Sequence, residues 1–208
     1  MIQCRIRGVL FDFGGVLSEE GFKNGLKHIA RINALDPCQF FETARELIYS
    51  SGYLTGHKSE AVFWDQLRMR TGIQGTDQEL KEIILEHFLI RDWMMALVRM
   101  LKEHSVRLAI LSDQTNWLDE LDQRCHFSNL FEEVFNSYHL GKSKNDPSQF
   151  IDVISFMRLN PQQVLFVDDT RENIERAHAL GLNTIHYTGK EQFLEDMQRF
   201  FPWIRLPG

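Results

Sequence analysis

Residues 8–17 read GVLFDFGGVL, and they contain the clearest structural signal in this 208-residue chain. The stretch begins as an apolar run of strand length, reaches a single carboxylate at Asp12, and then meets a glycine pair, Gly14 and Gly15. A continuous apolar run of this length is typical of a strand buried on both faces, as in a parallel sheet. A lone charge at the end of such a strand indicates a site at the carboxyl edge of that sheet.

Two further apolar runs end in the same way, RLAILSD at 107–113 and VLFVDD at 164–169. Weaker strand candidates cover 132–139 and 183–188. Helical patterns separate these runs from about Ile90 to the end of the chain. This alternation of strands and helices predicts an α/β fold with an open, central parallel sheet.

The segment between the first strand and Ile90 has a different pattern, because it contains no convincing strand. We therefore predict a small all-helical cap over 18–90, inserted after strand one, with 1–17 and 91–208 forming the α/β core. An insertion at this point would cover the edge where open α/β sheets bind ligands. Helix-like stretches within it lie at about 21–33, 37–50, 58–71 and 77–89.

Composition limits the function classes. The net charge of −6 argues against a nucleic-acid partner or an anionic membrane surface. No run of about 18 apolar residues suggests a membrane span, and Asp12 interrupts the only apolar stretch near the start that a signal peptide would need. Three widely separated cysteines, Cys4, Cys38 and Cys125, indicate reduced thiols. We expect a cytoplasmic globular protein, either a monomer or a homodimer.

Polar residues at the predicted strand ends form a candidate site. Asp12, Ser112 and the pair Asp168 and Asp169 all follow apolar strands, and Lys144 precedes a predicted helix. Parallel strands bring such residues to one edge of the sheet. Carboxylates there suit a hard divalent ion such as Mg²⁺, and the ammonium and hydroxyl groups suit a phosphoryl group. The pattern predicts a magnesium site that binds a small phosphorylated metabolite.

In motif order and spacing the sequence resembles the haloacid dehalogenase superfamily of phosphohydrolases over nearly the whole chain. The implied fold is a Rossmann-like core with a small helical cap, similar to the subgroup with the phosphatase domain of soluble epoxide hydrolases and sugar-phosphate phosphatases. The four segments that resemble the motifs are FDFGGVL (11–17), LAILSD (108–113), GKSKNDPSQF (141–150) and VLFVDDTRENIERAHALG (164–181).

The resemblance implies a role for each motif residue. Asp12 would be the nucleophile and form an aspartyl-phosphate that water then hydrolyses. Mg²⁺ would be held by Asp12, the backbone carbonyl of Gly14 and Asp169, while Asp168 would orient Lys144 or a metal-bound water. Ser112 and Lys144 would act with Asp12 in catalysis by binding phosphoryl oxygens. The implied phosphate-binding set is Gly14, Gly15, Ser112, Asp113 and Lys144.

Three positions depart from the family pattern. Gly14 stands where most family phosphatases have a second aspartate that acts as general acid and base, a contribution of roughly 10²–10⁴-fold. Asn145 replaces a usual proline, and Asp113 replaces a residue that is more often neutral. We therefore predict a preference for good leaving groups, unless Asp113 or a carboxylate or imidazole of the cap supplies the proton. Conceivable substrate contacts in the cap are Glu19, Glu20, His28, His57 and Trp64.

Two other functions fit part of the pattern. A 2-haloacid dehalogenase uses the same type of aspartate nucleophile without a metal, although the Asp168–Asp169 pair argues against it. The third alternative is a catalytically impaired domain that binds a phospholigand, because Gly14 removes the acid–base residue. Chloride release without Mg²⁺ would favour the dehalogenase, and ligand binding without turnover would favour the impaired domain that binds a phospholigand.

Overall fold

Five parallel strands form the central sheet in residues 6–204, the part of the chain that this computed structural model describes. Their spatial order is β3-β2-β1-β4-β5, so the first strand is central, and the predicted α/β fold with a parallel sheet is confirmed. The strands are β1 (Gly8–Phe11), β2 (Arg107–Ser112), β3 (Glu133–Asn136), β4 (Val164–Asp168) and β5 (Asn183–His186).

Ten α-helices surround this sheet within the same described residues. They are α1 (Gly21–Ile32), α2 (Pro37–Ser50), α3 (Glu60–Thr71), α4 (Asp77–Leu85), α5 (Asp92–Glu103), α6 (Trp117–Cys125), α7 (Ser137–Leu140), α8 (Ser148–Met157), α9 (Arg171–Ala179) and α10 (Lys190–Phe200). None of these helices is long and apolar enough to cross a membrane. Cys4 and the outermost parts of the predicted core, 1–5 and 205–208, lie outside the described residues.

The strand register aligns the ends of three strands. Phe11 pairs with Ile110 of β2 on one side and with Val167 of β4 on the other. Strands β2 and β3 therefore lie on one side of β1, and strands β4 and β5 lie on its other side. The strand order changes direction at β1. Open α/β sheets form a ligand-binding crevice at such a change of direction.

Alternation along the central strand supplies both faces of the core. Val9 and Phe11 pack in one buried cluster with helices on one side of the sheet, and Leu10 packs in a second cluster on the other side. Successive strand residues point to opposite faces, so a strand buried on both sides must be apolar throughout. Asp12 directly follows β1 and is the first residue to which this apolar requirement no longer applies.

Two predicted elements are shorter than expected. The helix expected at 77–89 ends at Leu85, because the chain must then run extended beside the entry of the segment, where Leu89 accepts the N–H of Glu19. The strand expected at 132–139 ends at Asn136, whose side chain accepts the N–H of Tyr138 and begins α7. A contact with a distant segment thus follows the end of the first element, and a local cap ends the second.

We refer to residues 18–90 as the cap segment; its separation from the core at these residues stays a prediction. Helix α1 packs against α2 and α4 within it. The α1–α4 contact is close at Gly25, where a Cβ would lie 2.5 Å from the Ile84 backbone. The chain enters and leaves the segment side by side, since Ser18 and Ile90 form an antiparallel bridge.

Candidate active site

Asp12 lies at the carboxyl end of β1 with one oxygen held by three donors. Its Oδ1 accepts the N–H of Phe13 at 2.7 Å and the hydroxyl of Ser112 at 3.1 Å, and it lies 2.8 Å from Nζ of Lys144. Burial raises the pKa of Asp12 well above its usual range, with Lys144 opposing the shift and the nearby acidic groups adding to it. The fold thus concentrates negative charge around a fixed carboxylate.

Lys144 lies between two carboxylates and is only 1% exposed. Its ammonium is 2.8 Å from Asp12 Oδ1 and 2.7 Å from Asp168 Oδ2. Burial by itself disfavours the charged form, but the two carboxylates overcome this effect and raise the pKa of Lys144 above its usual value. The side chain is therefore a cation next to the Asp12 carboxylate.

Asp168 is fully buried and every one of its contacts is local to the site. Beyond Lys144, it accepts the N–H of Thr170 at 2.7 Å and the amide of Asn173 at 3.1 and 3.2 Å. Sequence reasoning missed Asn173. The available signal was its place in the first turn of α9, from which a side chain can point back to the strand end.

Asp169 is more exposed than its neighbour and rests against a glycine. A Cβ on Gly15 would lie 2.1 Å from Asp169 Oδ2, and Gly15 has a φ of +80°. Burial, and then the charge of Asp168, raise the pKa of Asp169. Gly15 is thus required both by the backbone conformation and by the approach of this carboxylate.

The three carboxylates are close enough to share one cation. Oxygen atoms of Asp12, Asp168 and Asp169 lie within 4.8 Å of one another. Oxygen ligands of this kind suit Mg²⁺. Both oxygens of Asp168 already accept hydrogen bonds, Oδ1 from Thr170 and Asn173 and Oδ2 from Lys144 and Asn173. Within residues 6–204 the Oδ2 atoms of Asp12 and Asp169 accept none, so these two carboxylates fit a cation best.

Asp113 anchors the Lys144 loop. Its Oδ1 accepts the hydroxyl of Ser137 at 2.6 Å and the backbone N–H of Lys144 at 2.9 Å. A carboxylate beside a phosphate is unfavourable unless it is turned away, and the Asp113 carboxylate is turned toward these donors. Ser137 and the helix turn that carries it were not identified from the sequence.

A cavity of about 1270 Å³ opens above the strand ends. The cap segment lines one side, with residues of α1 and α2, and the loops after β1, β2 and β4 line the other. Of the predicted site residues, Ser112, Asp168 and Gly15 lie behind the cavity surface. Those that line it are Asp12, Gly14, Asp113, Lys144 and Asp169.

Glu20 is the cap carboxylate that reaches this cavity near Gly14. A Cβ on Gly14 would lie 3.5 Å from Oε1 of Glu20 and 3.2 Å from Nε2 of Gln114. Burial, reinforced by the charge of Asp169, raises the pKa of Glu20 to about 7. A carboxyl group therefore stands beside the position where residue 14 has no side chain.

The other cap residues considered from the sequence have different surroundings. Glu19 forms an ion pair with Arg91, and Trp64 is buried with its indole N–H on Glu60. Neither they nor His28 and His57 are among the residues that line the cavity.

Arg91 was missed by sequence reasoning. Its guanidinium also donates to the carbonyls of Gly15 and Val16, and so ties the loop after Asp12 to the exit of the cap segment. A lone arginine between two predicted segments carries no recognisable signal in the sequence.

Comparison with known proteins agrees with this geometry. Bifunctional epoxide hydrolase 2 of Rattus norvegicus is 26% identical in an alignment of 229 positions, gaps included. The alignment covers 97% of this chain and 41% of that protein. A flavin mononucleotide hydrolase of Arabidopsis thaliana is 21% identical over 136 residues, covering 64% of this chain and 56% of that protein. The chain thus spans about half or less of the length of these relatives.

A solved structure has the same fold. A haloacid dehalogenase family enzyme from Bacteroides thetaiotaomicron superposes with a TM-score of 0.73 at 24% identity, covering 95% of this chain and 98% of that one. The family model described as haloacid dehalogenase-like hydrolase matches residues 6–181, and this range includes all four motif segments. The chain therefore belongs to the haloacid dehalogenase-like hydrolases.

Proposed function

We propose that this hydrolase is a Mg²⁺-dependent phosphatase that acts on a small phosphorylated metabolite through an aspartyl-phosphate intermediate. The observation that carries the proposal is the unequal hydrogen bonding of the two Asp12 carboxylate oxygens. Its Oδ1 is held by Phe13, Ser112 and Lys144, and within residues 6–204 no donor holds Oδ2. A carboxylate oriented through one oxygen keeps the other available as a nucleophile.

The proposed reaction has two steps. Oδ2 of Asp12 attacks phosphorus, and the bond from phosphorus to the leaving-group oxygen breaks. Lys144 and Ser112, which already lie at Oδ1, bind phosphoryl oxygens and stabilise the charge that develops on them. Water then attacks the aspartyl-phosphate, which releases phosphate and restores the Asp12 carboxylate.

Magnesium would be held by the carboxylates of Asp12 and Asp169 and by the backbone carbonyl of Gly14. When bound, the ion would neutralise phosphoryl charge beside the carboxylates. Asp168 keeps Lys144 in position, because its oxygens accept from Lys144, Thr170 and Asn173. Asp169 has fewer partners and a raised pKa, and a carboxylate under such repulsion is relieved by a cation.

The cavity supports a small anionic substrate. Lys23 and Arg176 line it without an ion pair within residues 6–204, whereas Arg45 is paired with Glu42. The side chains of Phe22 and Phe41 also line the cavity. Cations attract the charged part of a phosphorylated metabolite, and the rings offer an apolar contact for the remainder. Because Gly14 offers no acid, leaving groups that need little protonation are the first substrates to test.

The test is a panel of phosphorylated metabolites assayed for phosphate release with Mg²⁺ and with EDTA. We expect turnover only with Mg²⁺, and Asp12→Asn should lower it by at least about 10³-fold. Asp65→Asn, an exposed aspartate of α3, is the control and should match the wild type.

Two results would contradict the proposal. Chloride release from 2-haloacids in EDTA would identify a dehalogenase. Phosphate and Mg²⁺ binding without any turnover would identify a domain that binds a phospholigand.

A further inference from the structure

The proposed phosphatase reaction needs a proton donor that Gly14 cannot supply. An alkoxide leaving group must gain a proton as its bond to phosphorus breaks, and the attacking water must lose one in the second step. The group that performs both transfers has to reach the space above Asp12 on the cavity side. Position 14 faces that space, because Gly14 and Asp12 both line the cavity.

Glu20 reaches the same space from the cap segment. It directly precedes α1, and its Oε1 lies 3.5 Å from the position that a Cβ on Gly14 would take. Phe88 Cε1, at 3.6 Å from that position, forms an apolar wall beside it. Glu20 lines the cavity together with Asp12, so the carboxyl group and the nucleophile face one volume.

The Glu20 carboxyl group is free to exchange a proton. Within residues 6–204 no side-chain hydrogen bond or ion pair holds it. The charged groups that act on it are Asp169 across the cavity, Lys23 on α1 and Arg91 at the exit of the cap segment. Arg91 is engaged by Glu19 through two contacts at 3.0 Å, and therefore does not neutralise Glu20.

Two other acids close to the site, Glu19 and Asp113, are occupied. Glu19 is in the ion pair with Arg91, which lowers its pKa. Asp113 Oδ1 already accepts from the Ser137 hydroxyl and from the Lys144 backbone. Neither is free in the way that Glu20 is.

We propose that Glu20 is the general acid and general base of this enzyme, in place of the missing side chain at position 14. In the first step, Asp12 forms its bond to phosphorus while the Glu20 carboxylic acid gives its proton to the departing oxygen and becomes a carboxylate. In the second step, this carboxylate takes a proton from the attacking water as the bond from phosphorus to Asp12 breaks. Both residues then return to their starting states.

This inference rests on the proposed phosphatase activity, and its test separates the two. The kcat/KM values of Glu20→Gln and the wild type are compared over aryl and alkyl phosphates whose leaving groups range from acidic to basic. For the least acidic leaving groups we expect Glu20→Gln to lose about 10²–10⁴-fold. For p-nitrophenyl phosphate the loss in kcat/KM should stay below about tenfold, because that leaving group needs little protonation.

Two further readouts distinguish proton transfer from a structural role. With p-nitrophenyl phosphate, Glu20→Gln should show a burst of nitrophenol, because the aspartyl-phosphate accumulates when the base is missing. Adding Gly14→Asp to Glu20→Gln should restore activity on basic leaving groups. Gly14 has no positive φ, and the two atoms nearest to its Cβ position are the flexible ends of Gln114 and residue 20. The Phe88 ring at 3.6 Å is at an ordinary van der Waals distance, so an aspartate can be accommodated.

The matched control is Glu172→Gln, an exposed carboxylate on the rim of the same cavity, which should leave the series unchanged. The wild type provides a second measurement that needs no variant: its kcat/KM should vary little with leaving-group pKa. A wild-type kcat/KM of this kind would mean that the enzyme lacks the preference for good leaving groups that Gly14 alone predicts.

If Glu20→Gln lost kcat/KM equally for all leaving groups, or lost none, the role of Glu20 would be overturned. The Asp12-dependent phosphatase activity would still stand in that case. A steep dependence in the wild type would overturn the role of Glu20 as well. Absence of phosphatase turnover in the wild type would overturn the proposed function itself.

Discussion

At the scale of single residues, the glycines after Asp12 have different reasons to lack a side chain. Gly15 combines a φ of +80° with a carboxylate of Asp169 that occupies the place of a Cβ. Gly14 has neither constraint, since the nearest atoms to its Cβ position are 3.2 Å away or more. Gly15 is therefore a structural requirement, whereas Gly14 leaves room that Glu20 approaches.

Gly15→Ala should therefore disturb the proposed metal site as well as the fold. An alanine in the left-handed region costs about 1–2 kcal/mol, and the contact with Asp169 adds to that cost. We expect a lower free energy of unfolding in urea and a weaker Mg²⁺ affinity by calorimetric titration. Gly72→Ala is the matched control, because Gly72 has a φ of +73° and no atom within 4 Å of its Cβ position.

The control should lose only the backbone contribution and keep its Mg²⁺ affinity. Equal losses of stability in the two variants, with Mg²⁺ affinity unchanged in both, would show that the approach of Asp169 to Gly15 is unimportant.

At the scale of elements, an aromatic cluster joins the cap segment to the core. Trp117 begins α6, and it packs against Tyr53, Phe63 and Trp64 of the cap segment at ring distances of 5.8 to 6.3 Å. The hydroxyl of Tyr53 also donates to Asn116 at 2.7 Å. The cap segment is anchored to α6 here, and Trp117 also lines the cavity, which extends from this cluster to residues of α9.

Trp64→Ala should loosen that anchor without touching the cavity, because Trp64 is buried and does not line it. Removing a buried tryptophan side chain costs about 3–5 kcal/mol. We expect that loss in urea unfolding, together with a higher KM for any substrate found in the panel, because α2 would no longer be held over the strand ends.

Trp203→Ala serves as the comparison. Trp203 is half-buried and stacks on His104 at 3.7 Å, in a part of the fold that does not line the cavity. It should lose less stability and keep its KM. An unchanged KM in Trp64→Ala would mean that the cluster stabilises the fold without positioning the cap segment.

At the scale of the whole molecule, the strand ends bring three carboxylates and one lysine into a single buried group. Lys144 compensates one negative charge, while burial, together with the remaining negative charge, raises the pKa values of Asp12 and Asp169. A bound cation stabilises a folded state that contains such repulsion. A ligand that binds only the folded form adds RT ln(1 + [L]/Kd) to the free energy of unfolding.

Mg²⁺ should therefore raise the melting temperature, by about 5–10 °C at a hundred times its Kd, since about 2.7 kcal/mol is gained there. Asp169→Asn should abolish this shift. Without metal, Asp169→Asn should be more stable than the wild type at neutral pH, because a raised pKa means that folding disfavours the charged form.

The sign of the pH dependence follows from the same shift. The folded wild type binds the Asp169 proton more tightly than the unfolded chain, so its stability relative to Asp169→Asn should rise as the pH falls through the folded pKa. Asp65→Asn and a matched ionic strength of Na⁺ are the controls. A wild type that melts at the same temperature with and without Mg²⁺ would contradict the prediction.

Much of the element structure follows from local pattern. Strands at 8–13, 107–113 and 164–169 and helices at 21–33 and 37–50 were predicted to within a few residues. Period and length are properties of short segments, and burial on both faces demands apolar runs. The two errors, at the ends of α4 and β3, arose where a partner distant from the pattern, or a local cap, ended the element.

The sequence by itself determined the fold class and the identity of the strand-end residues, because both depend on hydrophobic order and on motif spacing along the chain. Only the tertiary structure decided which partners those residues have. The Lys144 contacts with Asp12 and Asp168 and the turn of Asp113 toward Ser137 join segments far apart in sequence. The approach of Glu20 to position 14 is set by the path of the irregular loop between β1 and α1. Such contacts depend on how elements pack in space, and no local period encodes that packing.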